Sequence, residues 1–122
     1  MGKRLEITLE VPYVTPSWNS IYSVGNYWTR KRIVDRERKA IGAYLIGRIK
    51  PIKEKVDINI RHIRKRPYDS DNVCSKVWID AMKDVGMLPN DDHRYVGWVS
   101  IRTDRGPEEK TIINITSDQL AP

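Results

Sequence analysis

Four stretches of this sequence alternate apolar and polar residues, and two stretches between them repeat their apolar residues every three to four positions. That order constrains the fold more than any other feature, because period two means a half-buried strand and period 3.6 a helix with one buried stripe. "LEITLEV" alternates Leu5, Ile7, Leu9 and Val11 and predicts a first strand. "PYVTPSWNS", with two prolines and Asn-Ser, reads as a loop. "TRKRIVDRERKAIGAYLIGRIK" places Val34, Ile41, Leu45 and Ile49 on one helical stripe with Arg and Lys elsewhere, and Pro51 is its expected stop. "KVDINIRHI" alternates again through Val56, Ile58 and Ile60. "NVCSKVWIDAMKDVG" carries Val73, Val77, Ala81 and Val85 on a second helical stripe, with Gly86 at its end. "RYVGWVSIRT" and "KTIINIT" close the chain as two strands with a turn at Asp104-Arg-Gly-Pro.

The expectation is an α+β fold: one domain over residues 1–122, a mixed sheet of about four strands, and two helices packed on one face. At 122 residues a single core suffices without disulfides. The one cysteine, Cys74, and two histidines, His62 and His93, exclude a disulfide framework and a zinc cluster. "MGKRLEITLE" lacks the apolar core of a signal peptide, and no run is long enough to span a bilayer. A soluble cytoplasmic protein with no membrane partner is expected.

The charge is uneven. Residues 1–66 carry 16 Lys and Arg against 6 Asp and Glu, whereas residues 67–122 carry 6 against 10. A basic surface favours a polyanion such as nucleic acid. Against that background the acids of "YDSDN", Asp69 and Asp71, and of "NDD", Asp91 and Asp92, call for a reason. Asp71 with Asn72 stands ahead of a helical stripe, where an aspartate caps the first turn. A cap accounts for one acid and leaves Asp69 unexplained. Asp91-Asp92 alone reads as a solvated turn. Brought together, three carboxylates repel one another unless a cation sits between them. Oxygen ligands without His or Cys suit Mg²⁺ or Mn²⁺. The helix from about residue 72 to 86 carries the chain roughly 20 Å from Asp71, so a meeting requires the next strand to start beside the previous strand's end.

The segment "RKRPYDSDNVCSKVWIDAMKDVGMLPNDDHRYVGWVSI" resembles the RusA family of phage Holliday-junction resolvases. The shared pattern is Asp69, Asp71-Asn72, Lys76, Asp80-Ala81, Gly86 and Asp91-Asp92, preceded by a strand and the Pro16-Ser17-Trp18-Asn19 loop. The resemblance covers nearly the whole chain. It implies a homodimeric, Mg²⁺-dependent crossover junction endodeoxyribonuclease in the cytoplasm of a bacterial host cell, nicking two strands of a four-way DNA junction symmetrically. It implies Asp69, Asp71 and Asp92 as metal ligands, with Asp91 the second choice for the third, and Lys76 as a supporting catalytic residue. Asn72 is expected to orient a carboxylate or cap the helix. The departure from the family pattern is three residues, Val73-Cys74-Ser75, between the Asp-Asn pair and the lysine where the family has two.

Arg64, Lys65 and Arg66, with Asn72, are the expected DNA contacts, and the basic helix holding Arg30 to Lys39 is a further phosphate surface. Trp18 and Trp28 are candidates for base stacking, whereas Trp78 and Trp98 are expected in the core. His62 reads as a strand residue. Two other readings stand beside the resolvase: a DNA-binding module without chemistry, and a nuclease for another branched or RNA substrate.

Overall fold

A computed structural model describes residues 4–118. Four strands, β1 (Glu6–Val11), β2 (Val56–Arg64), β3 (Val96–Arg105) and β4 (Lys110–Ser117), form one sheet in the order β1-β4-β2-β3. Three helices accompany it: α1 (Trp18–Tyr22), α2 (Tyr27–Leu45) and α3 (Ser75–Asp84). The sheet is mixed: β4 runs antiparallel to β1 and β2, and β3 runs parallel to β2. The α+β expectation therefore holds, with one more helix than the two expected.

The alternation in β2 explains the layering. Val56, Ile58, Ile60 and His62 are buried, and register places Ile58 beside Ile115, Ile60 beside Ile113 and His62 beside Thr111. Leu9 and Val11 continue this face on β1. Against it pack Ile41 and Leu45 of α2 and Val77, Trp78, Ala81 and Met82 of α3, all buried in one cluster. The other face is polar: Asn59 bonds Ser100, Thr8 bonds Asn114, and Asp104 accepts from Arg61 and Arg102. Cross-strand polar pairs of this kind suit a face left to water.

Several boundaries differ from the sequence expectation, three of them for the following local reasons. Ser17 caps α1 by accepting from the Ser20 amide, so part of the Pro-rich loop is helical. Asn26 caps α2 by accepting from Thr29, which brings Tyr27 and Trp28 onto the helix. That helix stops at Leu45, before Pro51, because Gly47 takes a left-handed φ of 75° that an L side chain avoids. Gly86, at φ 80°, ends α3 as expected. The turn after β3 does not make a hairpin: β3 and β4 flank β2, and Gly106 crosses close over Ile63, where a Cβ would clash.

Trp98 also departs from expectation. It is 65% exposed rather than in the core, whereas Trp78 is fully buried. The reason is its place in the sheet: β3 is an edge strand, and Trp98, bonded through its amide to Asp57, sits by Ser100 on the polar face that no helix covers. Cys74 is buried, its thiol donates to the Pro16 carbonyl at 3.1 Å, and burial pushes it up to about 12. A thiol reagent at pH 8 should therefore modify the folded protein on the order of a thousandfold more slowly than a free cysteine, and at the ordinary rate in denaturant. Equal rates in both would mean that Cys74 is accessible.

Candidate functional site

A chain of four hydrogen bonds, three of them buried, builds the floor beneath Asp69 and Asp71. The Trp78 indole donates to Thr15 Oγ1 at 3.2 Å, and Thr15 lies 3.1 Å from His62 Nε2. His62 Nδ1 lies 2.8 Å from Thr111 Oγ1, which donates to the Tyr13 carbonyl at 2.6 Å. Donors and acceptors match all along only if His62 is neutral with its proton on Nδ1. Thr111 spends its own proton on the carbonyl and so accepts from Nδ1, leaving Nε2 to accept from Thr15. Burial first, and the Arg64 charge second, lower His62 to about 4.

This floor fixes the loop above it. The Tyr68 hydroxyl donates to the Thr15 carbonyl at 3.0 Å, and the Tyr68 carbonyl accepts from Thr103 Oγ1 at 2.6 Å. Ser70 Oγ accepts the Thr103 amide at 3.1 Å. Asp69 and Asp71 flank Ser70 in the resulting 3₁₀ turn, Ser70–Asn72, with both aspartates exposed. Thr15, Tyr68, Ser70, Thr103 and Thr111 are positioning residues that periodicity and motif spacing do not reveal. Only Thr103 and Thr111 carry a sequence signal, each a hydroxyl on the apolar register of its strand.

The capping role expected of Asp71 and Asn72 is absent. Helix α3 begins later, at Ser75, with Cys74 at its N-cap position and no side-chain cap bond. Asp69 precedes the 3₁₀ turn without a side-chain cap bond either. Val73 and Cys74 therefore lie before the helix, and Ser75 and Lys76 open its first turn. Among the described residues Asp69 and Asp71 enter no ion pair, whereas Asp80, Asp84, Asp91, Asp92, Asp104 and Asp118 each meet a base. Two exposed, unpaired carboxylates offer the oxygen donors that Mg²⁺ takes from a protein, one or two at a time with water filling the rest. The residues present fit such an ion.

The third acid does not join them within one chain. Asp92 sits in the turn that leads into β3, its carbonyl accepting from Tyr95 and Val96. Val56, the first residue of β2, donates to the Tyr95 carbonyl. Asp69 and Ser70 lie at the other end, against Thr103. The seven residue steps from Val96 to Thr103 span roughly 23 Å of strand. Ligands of one Mg²⁺ lie about 2.1 Å from it, so Asp69, Asp71 and Asp92 cannot share an ion inside a chain. Asp91 lies in the same distant turn. Among the described residues no group of three His, Cys, Asp or Glu is placed to hold an ion. The cause is the parallel pairing of β2 and β3: α3 carries the chain back along the sheet, and β3 starts beside the start of β2 rather than its end. Asp92 is held bidentately by Arg94, whose guanidinium lowers its carboxyl, and Asp91 faces Lys83 at 4.0 Å.

The expected cations divide as well. Lys65 and Arg66 are exposed beside the acids. Arg64 instead stacks over the Tyr68 ring at 4.8 Å and faces Glu109 at 3.8 Å, which makes it a packing residue more than a free phosphate contact. Lys76 stands in the first turn of α3, 73% exposed, and pairs with Asp80 one turn on at 3.7 Å. Asn72 is half-buried, and its amide donates to the Asp69 carbonyl. Trp28 is exposed on α2 against Tyr27, and Trp18 packs on Tyr22.

Among the described residues no helix is long and apolar enough to cross a membrane. Compared with models of known protein families and with curated proteins, the chain matches none.

Proposed function

We propose that the chain is a Mg²⁺-dependent, structure-selective DNA endonuclease that resolves four-way junctions by paired symmetric nicks, as its resemblance to the RusA family implies. The observation that carries the reading is the Asp69–Asp71 turn. Two carboxylates are rigidly seated, exposed, free of cap bonds and ion pairs, and next to Lys65 and Arg66 in a basic protein. Exposed carboxylates one residue apart repel only weakly in water, so the fold tolerates them, and a hard dication that takes one or two protein oxygens is the partner they suit. When bound, the ion supplies an activated water and a counter-charge for the phosphorane-like transition state. The protein's own part is to hold Asp69 and Asp71 through Tyr68, Ser70 and Thr103, and to hold the phosphates with Lys65, Arg66 and Lys76. Those contacts carry no base information, so selectivity rests on the shape of the branched DNA.

The test is cleavage of a labelled four-way junction beside a matched linear duplex, in Mg²⁺ or Mn²⁺. Paired nicks in the junction alone support the reading. Binding without nicks in either metal overturns it in favour of a DNA-binding module. Equal cleavage of flaps or RNA overturns the substrate. The double variant Lys65→Ala, Arg66→Ala should weaken binding uniformly across sequences and lower the slope of log affinity against log salt by roughly 2. An unchanged slope, measured by titration at several salt concentrations, would place the DNA elsewhere.

A further inference from the structure

We infer that the cleft enclosed by α1, α2 and α3 is a stacking site for one unpaired base of the bound DNA strand. Trp18, Tyr22 and Tyr27 supply the ring faces, and Arg30 and Lys31 meet the phosphates beside the base. That the strand is a nuclease substrate rests on the reading above; the cleft itself rests on the three helices.

Tyr22, Tyr27 and Trp28 stand close together in the sequence and are 64%, 60% and 68% exposed. The fold does not call for these rings. Ser17 and Asn26 cap the two helices, and Ile21 and Val77 make the buried contact below. A cluster of large rings left in water marks a binding surface. The cleft they border encloses about 460 Å³, the size of a small-ligand site, with Ile21 and Val77 in its lining. Trp18 is half-buried, its ring 5.5 Å from that of Tyr22 and tilted by 33°. Tyr27 opens α2 on the same cleft, with Trp28 edge-on behind it at 5.2 Å.

Charge selects the occupant. Of the bases around the cleft, Arg38 is taken by Asp84 at 2.8 Å and Lys76 by Asp80 at 3.7 Å. Arg30 and Lys31 enter no ion pair among the described residues, against the single remaining acid Asp35. The Arg30 guanidinium lies 5.8 Å from the centre of the Tyr22 ring. Ring faces flanked by spare cations suit a base and its phosphate. The cleft also lies near the Asp69–Asp71 turn. The Cys74 thiol donates to the Pro16 carbonyl, which ties the start of α1 to the start of α3. Lys76 lines the cleft five residue steps from Asp71, so the two lie within about 18 Å. Stacked bases in a duplex hide their faces, and extraction costs least for a base already unpaired. Every base has such a face, so the cleft reads strand structure and not sequence. That gives selectivity for branched DNA a physical basis.

The experiment compares a thymidine tetranucleotide with its abasic analogue, which has the same phosphates and no bases. Affinities are measured by calorimetry at low salt without a divalent metal. One stacked base is worth about 5- to 150-fold in affinity, so the wild type should prefer the tetranucleotide by that factor. Tyr22→Ala with Tyr27→Ala should remove most of the preference and leave the affinity for the abasic strand unchanged. Both positions are exposed, so the variant should melt with the wild type. Tyr22→Phe with Tyr27→Phe, which keeps both rings, should retain the preference. Equal binding of the two strands by the wild type overturns the site, as does a preference that survives the alanine pair. An alanine pair that changes sedimentation and leaves the preference intact makes the cleft a contact between proteins, and overturns it too. Junction nicking separates this inference from the nuclease reading. A base preference without nicks in Mg²⁺ or Mn²⁺ leaves the cleft standing and removes the nuclease. Nicks without a base preference do the reverse.

Discussion

Asp71→Asn should reduce junction nicking by at least about 100-fold while leaving DNA affinity the same or slightly higher. Substituting a residue that merely supports a metal ligand costs about 10- to 100-fold, and loss of a ligand itself costs more. The substitution is nearly isosteric and removes one negative charge from a surface that meets phosphate, so binding has no reason to fall. Stability should hardly change either, since Asp71 is exposed and neither caps a helix nor pairs with a base. Asp69→Asn should behave alike, and chelation of the divalent ion should mimic both in the wild type. The check is single-turnover cleavage beside a gel-shift titration and a thermal melt. A variant that melts well below the wild type would show that Asp71 has a structural role after all.

Acidification should cost the fold roughly 3 kcal/mol through His62 alone, since its depression from 6.5 to about 4 is converted at 1.36 kcal/mol per pH unit. The folded state keeps this histidine neutral and the unfolded state protonates it near 6.5. The contribution is therefore fully present above pH 6.5, falls as pH drops, and is gone below about pH 4. Protonating Nε2 would also turn it from acceptor to donor and strand the Thr15 hydroxyl, a second cost that follows from the bond chain itself. The network holds the Thr15 carbonyl that pins Tyr68, so the Asp69–Asp71 turn should loosen in the same window. Denaturant unfolding between pH 4 and 7, wild type against His62→Gln, isolates the histidine from the carboxylates. The ring signal of His62 by NMR is the direct check, and a midpoint near 6.5 would contradict the buried neutral tautomer.

The elements themselves were legible because burial imprints a period. Val56, Ile58 and Ile60 alternate since one face of β2 is covered, and Val77 and Ala81 recur since one side of α3 is. Helix ends were less legible, since they depend on single caps: Asn26 and Ser17 extended helical structure into stretches that looked like loop. Trp98 was misplaced because composition says that tryptophan is usually covered, whereas edge position and the uncovered face of the sheet are properties of strand order and helix packing. His62 looked ordinary because nothing near it in sequence shows that Thr15 and Thr111, 47 and 49 residues away, supply both of its partners.

Local sequence by itself determined the four strands, the two long helices and the basic first half, since period and turn chemistry act over a few residues. Tertiary structure alone decided that β3 runs parallel to β2, that β3 is an edge, and that the Asp91-Asp92 turn lies at the far end of the sheet. The physical reason is that an alternating pattern records which face of a strand is buried. It leaves open which strand lies alongside and in which direction, and those are settled by how α3 returns across the sheet.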